Sequence, residues 1–191
     1  MNRSSRRGRG FTALSLNLQK AAAISESDLD DQRENDTRYY LMKSEVDVFS
    51  IDDLAKREDQ TEPWDGVRNH QAKKIMMGMR NGDMAFFWAS NTKEPGIVGL
   101  VKIVRESYPD FTQFDKKSKY FDPKSTQETP RWFCVDVKLV EKFAKPVTLA
   151  LLKDHKNELS HMPLFTMKRL SVQTVPSDCY EYIQTLRAKH L

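Results

Sequence analysis

Hydrophobic and polar positions change character near Arg38. Before it, Arg, Ser and Gly dominate residues 2–10, opposite charges fall in separate blocks and aromatics are few. After it, short runs of period two alternate with short runs of helical period. Arg38–Lys43 reads as a strand. Ser50 followed three residues later by Asp53, with Ile51 and Leu54 turned inward, predicts a short capped helix. Ala72, Ile75, Met76 and Met79 repeat at helical spacing within Asn69–Arg80, and Asn81-Gly82 is the expected stop. A strand is expected over Met84–Ser90, then a turn at Pro95-Gly96 and a strand over Ile97–Glu106. Arg131–Phe143 alternates with Phe133, Val135, Val137 and Leu139 on one face. A helix over Thr148–Lys153, a strand over Leu170–Val175 and a C-terminal helix capped by Ser177 complete the pattern.

Strands of mixed spacing with a few peripheral short helices predict an α+β fold, a small mixed β-barrel. Ser107–Pro130 is too long for a mere connection and is expected to be functional or disordered. A chain of 191 residues suits one good core. The domain is therefore expected over 38–188, preceded by a disordered tail at 1–36. That tail is Arg- and Ser-rich at first, and its acidic residues all follow Ala23. The cluster Arg3, Arg6, Arg7 and Arg9 reads as a nuclear address, with a mitochondrial presequence as the alternative.

Net charge changes this picture little: 31 basic and 27 acidic residues leave +4, which permits a basic face without demanding one. No apolar run reaches the length of a bilayer crossing, and a monomer without membrane contact is expected. The two cysteines and four histidines fall at no metal-ligand spacing, and no Gly-rich phosphate loop or nucleophile elbow is present. The expectation is a protein that binds rather than catalyses, with neither metal nor cofactor.

Aromatic residues in polar company are the better signal. A short apolar strand runs into Lys43, Ser44 and Glu45, and Trp64 then sits in a loop between Pro63 and Gly66. Tryptophan placed this way can stack on a flat ring. In the strand pattern Trp132 points away from the core set, beside Asp136 and Lys138. Phe86, Phe87 and Trp88 are consecutive, so at least one is expected to face outward or into a cavity. Asn69, Ser90, Asn91, Ser171 and Gln173 add polar groups at strand ends and loop starts that can read a ring edge, although such residues also cap helices and turns.

Tyr39–Glu45, Trp64–Asn69, Phe86–Asn91, Glu94–Gly99, Tyr108–Asp110, Pro130–Val137 and Arg169–Gln173 together resemble the EVE domain over roughly residues 38–186. The resemblance implies a PUA-like barrel and a non-enzymatic reader of a modified nucleobase, 5-methyl- or 5-hydroxymethylcytosine in DNA, flipped into a pocket. Carried over by position, Lys43 and Ser44 form one wall, Trp64 and Trp132 stack, and Asn69, Ser90 and Asn91 read the edge. Trp88 stands where the family commonly has tyrosine. The implied partner is nucleic acid, DNA in preference to RNA. Arg68, Lys73, Lys116, Lys117, Lys119 and Arg131 are the expected phosphate rim. An RNA-binding or protein-interaction module on the same barrel is the alternative.

Overall fold

Alternating side chains feed two hydrophobic cores, one on each face of a six-stranded mixed sheet. The computed structural model describes residues 37–189, so the expectations for the N-terminal segment lie outside the described residues. The strands are β1 (Tyr39–Glu45), β2 (Thr61–Pro63), β3 (Met84–Ser90), β4 (Gly96–Pro109), β5 (Phe133–Thr148) and β6 (Val172–Val175). They pair in the order β2-β5-β4-β3-β1-β6. β1 and β3 run parallel, and every other pairing is antiparallel. The fold is α+β, as the strand and helix pattern implies.

Strand periodicity decides which core each residue joins. Tyr40 and Met42 of β1, Ala85 and Phe87 of β3, and Val101 and Ile103 of β4 enter the first core. Leu41, Phe86, Trp88, Ile97 and Leu100 enter the second. Phe86, Phe87 and Trp88 are thus all buried, and none opens outward or into a cavity. The expectation to the contrary assumed one covered face. Here both faces are covered, so consecutive aromatics find apolar partners on either side.

Helices α1 (Ile51–Lys56) and α2 (His70–Met76) cover the first core. Ser50 and Asp53 close the reciprocal cap at the start of α1, with Ile51 and Leu54 buried. α3 (Leu149–Asp154), α4 (Pro163–Thr166) and α5 (Ser177–Lys189) cover the second, through Leu152, Leu164, Cys179, Ile183 and Leu186. α2 ends four residues before the Arg80 expected from periodicity. After Met76 the backbone bonds tighten to three-residue spacing, from Gly78 to Ile75 and from Met79 to Met76. Met79 nevertheless stays buried, so the apolar period outlasts the helix.

α2 touches both β5 and β6, which lie four strand spacings apart in the sheet. Flat, that separation would be about 19 Å, against a helix roughly 10 Å across. One short helix reaches both because the sheet curls around the first core. The open end of that curl is where the cavity lies.

Candidate functional site

A cavity of about 580 Å3 opens at the end of the first core. Its walls come from the end of β1 (Lys43, Ser44, Glu45), the following turn (Val48, Phe49), β2 with its exit loop (Glu62 to Asn69), Lys119, Tyr120 and Ser171. These segments converge for identifiable reasons. Lys43 N donates to Ser171 O at 2.8 Å, drawing the approach to β6 against β1. Ser44 Oγ donates to Phe49 O at 2.6 Å, and Phe49 N to Glu45 O at 2.9 Å, folding the turn after β1 back on itself. Trp64 N donates to Val135 O at 2.7 Å, holding the β2 exit loop against β5.

Asp110 anchors the floor. It is fully buried, and accepts from Gly66 N at 2.9 Å, Arg68 Nη1 at 2.7 Å, and the Thr112 amide and hydroxyl. Burial alone would raise this carboxyl. The hydrogen bonds from Thr112, Arg68 and the Gly66 amide outweigh it and hold the group below the usual carboxylate range. Arg68 also donates to Tyr120 O and Thr112 Oγ1, and lies 5.3 Å from the Tyr120 ring centre and 5.4 Å from that of Trp132. The long loop after β4 is therefore an ordered wall of the cavity. Gly66, at φ +72°, lies under Tyr120 so closely that a Cβ there would meet the ring at 2.5 Å.

Of the ten expected base-binding residues, Lys43, Ser44, Trp64, Asn69 and Ser171 line the cavity, and the other five do not. Trp64 closes the top of the first core, meeting Phe87 edge-on at 5.3 Å, while also forming cavity wall. Asn69 caps α2 through Oδ1, leaving its amide nitrogen with no partner among the described residues. Burial lowers the Lys43 ammonium from its ordinary value, and Nζ donates to Lys168 O at 3.0 Å.

Trp88 belongs to the second core, on the far face of the sheet. Trp132 precedes β5 and so escapes that strand's alternation. It is buried, stacked on His70 at 4.8 Å, with Nε1 donating to Asp122 at 2.7 Å. Gln173 is buried, and its amide ties Met167 O and Leu170 O into the approach to β6. Ser90 Oγ donates to Ser44 O, and Asn91 takes a positive φ of 53° in an exposed turn. Internal bonding or packing thus uses Trp88, Trp132, Gln173 and Ser90, while Asn91 is exposed and lies off the cavity wall.

The expected rim divides as well. Arg68 is committed to the floor, Lys73 Nζ donates to Arg131 O, and Arg131 pairs with Asp122 at 3.5 Å. Lys116 and Lys117 are exposed and their ammonium groups pair with no described residue, whereas Lys119 lies on the cavity edge, 4.9 Å from the Tyr120 ring centre. Sequence reasoning missed Asp65, Tyr120 and Phe49 on the cavity wall. The Trp-Asp-Gly run at Trp64–Gly66 carried a signal for Asp65. Tyr120 had none, because its place depends on how a long loop folds.

A small α+β domain whose curled sheet opens into one aromatic-walled, charge-lined cavity is the class that this fold and site define. The EVE domain model matches residues 38–186, and the chain belongs to that family. It is 44% identical over 171 residues to thymocyte nuclear protein 1 of Homo sapiens, covering 81% of this chain and 76% of that one. It is 42% identical over 188 residues to the Danio rerio protein of the same name, covering 87% and 81%. Among solved structures, a Leishmania major protein superposes with a TM-score of 0.77 at 50% identity, covering 82% of this chain and 98% of that chain. Human THYN1 in complex with 5-methylcytosine-containing DNA superposes with a TM-score of 0.76 at 41% identity, covering 79% and 98%.

Proposed function

We propose that this protein reads DNA by accepting a modified base, 5-methyl- or 5-hydroxymethylcytosine, flipped from the duplex into the cavity beside Trp64. The cavity itself carries the proposal. Its volume falls within the roughly 300–1,000 Å3 of small-molecule sites, and it joins an indole wall to polar groups at one edge. A flipped base needs both, because stacking is blind to sequence and edge hydrogen bonds are not. The structural similarity to a relative holding 5-methylcytosine-containing DNA supports the same ligand class. The role is binding without catalysis. Lys119 on the cavity edge, with Lys116 and Lys117 just before it in the chain, are the rim groups left to hold flanking phosphates.

Titration of duplexes carrying 5-methylcytosine, 5-hydroxymethylcytosine or cytosine, and of matching RNA, at two salt concentrations tests this reading. Modified DNA should bind tighter than unmodified DNA at both. Salt-steep affinity that ignores the modification would replace it with generic backbone binding, and preference for RNA would move the ligand class. A nuclear location accompanies the proposal, in keeping with relatives named thymocyte nuclear proteins. A reporter carrying residues 1–36 should enter the nucleus, and mitochondrial import with cleavage would overturn that.

A further inference from the structure

We infer that Asp65 is the residue that distinguishes an amino-bearing ring edge, as in cytosine, from an oxo-bearing edge, as in thymine; this rests on the base-reading proposal above. Asp65 lines the cavity directly after Trp64, so a ring stacked on the indole brings its edge near this carboxylate. Its backbone is fixed from both sides. Trp64 N is held by Val135 O at 2.7 Å, and Gly66 N by the buried Asp110 carboxylate at 2.9 Å. Beyond a hydrogen bond with its own amide and the attraction of Arg68, the carboxylate accepts from no other described residue and forms no close ion pair with one. Arg68, the nearby cation, is committed to Asp110, Thr112 and Tyr120. A half-buried, positioned carboxylate whose hydrogen bonding is limited to its own amide is an incomplete hydrogen-bond site.

The chemistry of the missing partner follows. A carboxylate accepts from an exocyclic amino group, the pairing that Asp and Glu make with cytosine N4. Burial, together with the Asp110 and Glu62 charges, pushes the Asp65 carboxyl above its ordinary value. A carboxyl that holds its proton more readily can also donate to the adjacent ring nitrogen, N3 of cytosine. Thymine presents the opposite pattern, with an acceptor at O4 and a donor at N3, so both contacts are lost. Thymine and 5-methylcytosine share the ring and the methyl group and differ only along this edge. A comparison of the two bases therefore isolates that edge.

The test uses the full chain and oligonucleotides carrying 5-methylcytosine, thymine or cytosine opposite an abasic site, so that no base pair must break. Wild type should prefer 5-methylcytosine to thymine by about tenfold or more, and Asp65→Asn, whose amide offers a donor to O4, should erase or reverse that ratio. A second measurement needs no variant: 5-methyl-2-pyrimidinone, which lacks the amino group, should bind wild type about tenfold more weakly than 5-methylcytosine. If wild type prefers 5-methylcytosine to cytosine but Asp65→Asn keeps the 5-methylcytosine-to-thymine ratio, the Asp65 assignment falls and the reader proposal stands. The assignment falls in the same way if the amino-free base binds wild type as well as 5-methylcytosine does. If wild type distinguishes none of these bases, the reader proposal fails and this inference with it.

Discussion

Arg68 Nη1 lies 2.7 Å from Asp110 Oδ2, and that buried pair fastens the loop after β2 to the loop after β4. Asp110 is fully buried while the Arg68 side chain keeps 21% of its exposure, so the pair straddles the cavity floor. Removing Asp110 leaves the half-buried Arg68 guanidinium without its closest carboxylate and the Gly66 and Thr112 amides without their acceptor. Asp110→Ala should therefore destabilise the domain by about 3–5 kcal/mol, measured by urea unfolding at neutral pH. Because the folded carboxyl is held low, its contribution is present above the unfolded pKa and lost as pH falls through the folded value. Wild type should lose stability steeply in acid, and Asp110→Ala should show a flatter acid limb.

Gly66 permits the approach of Tyr120. Alanine there would hold an unfavourable left-handed backbone at φ +72° and would also meet the ring. The backbone alone should cost about 1–2 kcal/mol. Tyr120 must then move, so Gly66→Ala should weaken base binding by more than its loss of stability explains. Parallel unfolding and binding titrations read the two effects separately.

The two cores were legible because alternation in β3 and β4 and the capping pair Ser50/Asp53 are local signals. The site was legible only in its first half. Trp64 and Lys43 stand beside strand ends, where a polar loop interrupts an apolar run. Trp132 misled because strand alternation was extended one residue beyond where β5 begins. Ser90 and Gln173 misled for another reason: a polar residue near a strand end binds a ligand or ties down its neighbours, and only contacts between distant segments decide which. Asp65 and Tyr120, more than fifty residues apart in the chain, line the same cavity because of how the long loop folds onto Arg68.

Asp65 should carry a cost in stability. Burial and neighbouring carboxylates raise its folded pKa, so what it adds to stability is complete only below the unfolded value, about 3.9. That contribution is lost as pH rises through the folded value. Asp65→Asn removes the titration. The variant should show a higher urea midpoint than wild type at pH 7, with the difference shrinking toward pH 3. An equal midpoint at pH 7 would mean that the carboxylate is well solvated. Stability gained where selectivity is lost is the usual pattern at a binding site.

Trp64 belongs to core and cavity together, so truncation cannot report on the ligand alone. Trp64→Ala should cost about 3–5 kcal/mol of stability. Trp64→Phe keeps an aromatic ring against Phe87 and should fold with a fraction of that loss. It should still bind 5-methylcytosine DNA more weakly, since the larger indole face is gone. Unchanged affinity in a folded Trp64→Phe protein would place the stacking surface elsewhere on the cavity wall.

The rim can be separated from the pocket by salt. The Lys117 ammonium has no partner among the described residues, although its amide donates to Asp115, and Lys119 leans on the Tyr120 ring at the cavity edge. A lysine that meets a phosphate releases a counterion, so its removal should lower the slope of log affinity against log salt by about 0.9. Lys117→Ala should do this equally for modified and unmodified DNA, because a phosphate carries no information about the base. Lys119→Ala should flatten the slope and also shift Tyr120, reducing the preference for the modified base. Identical effects of the two substitutions on that preference would show that Tyr120 keeps its place without Lys119, and that both lysines act only on the backbone.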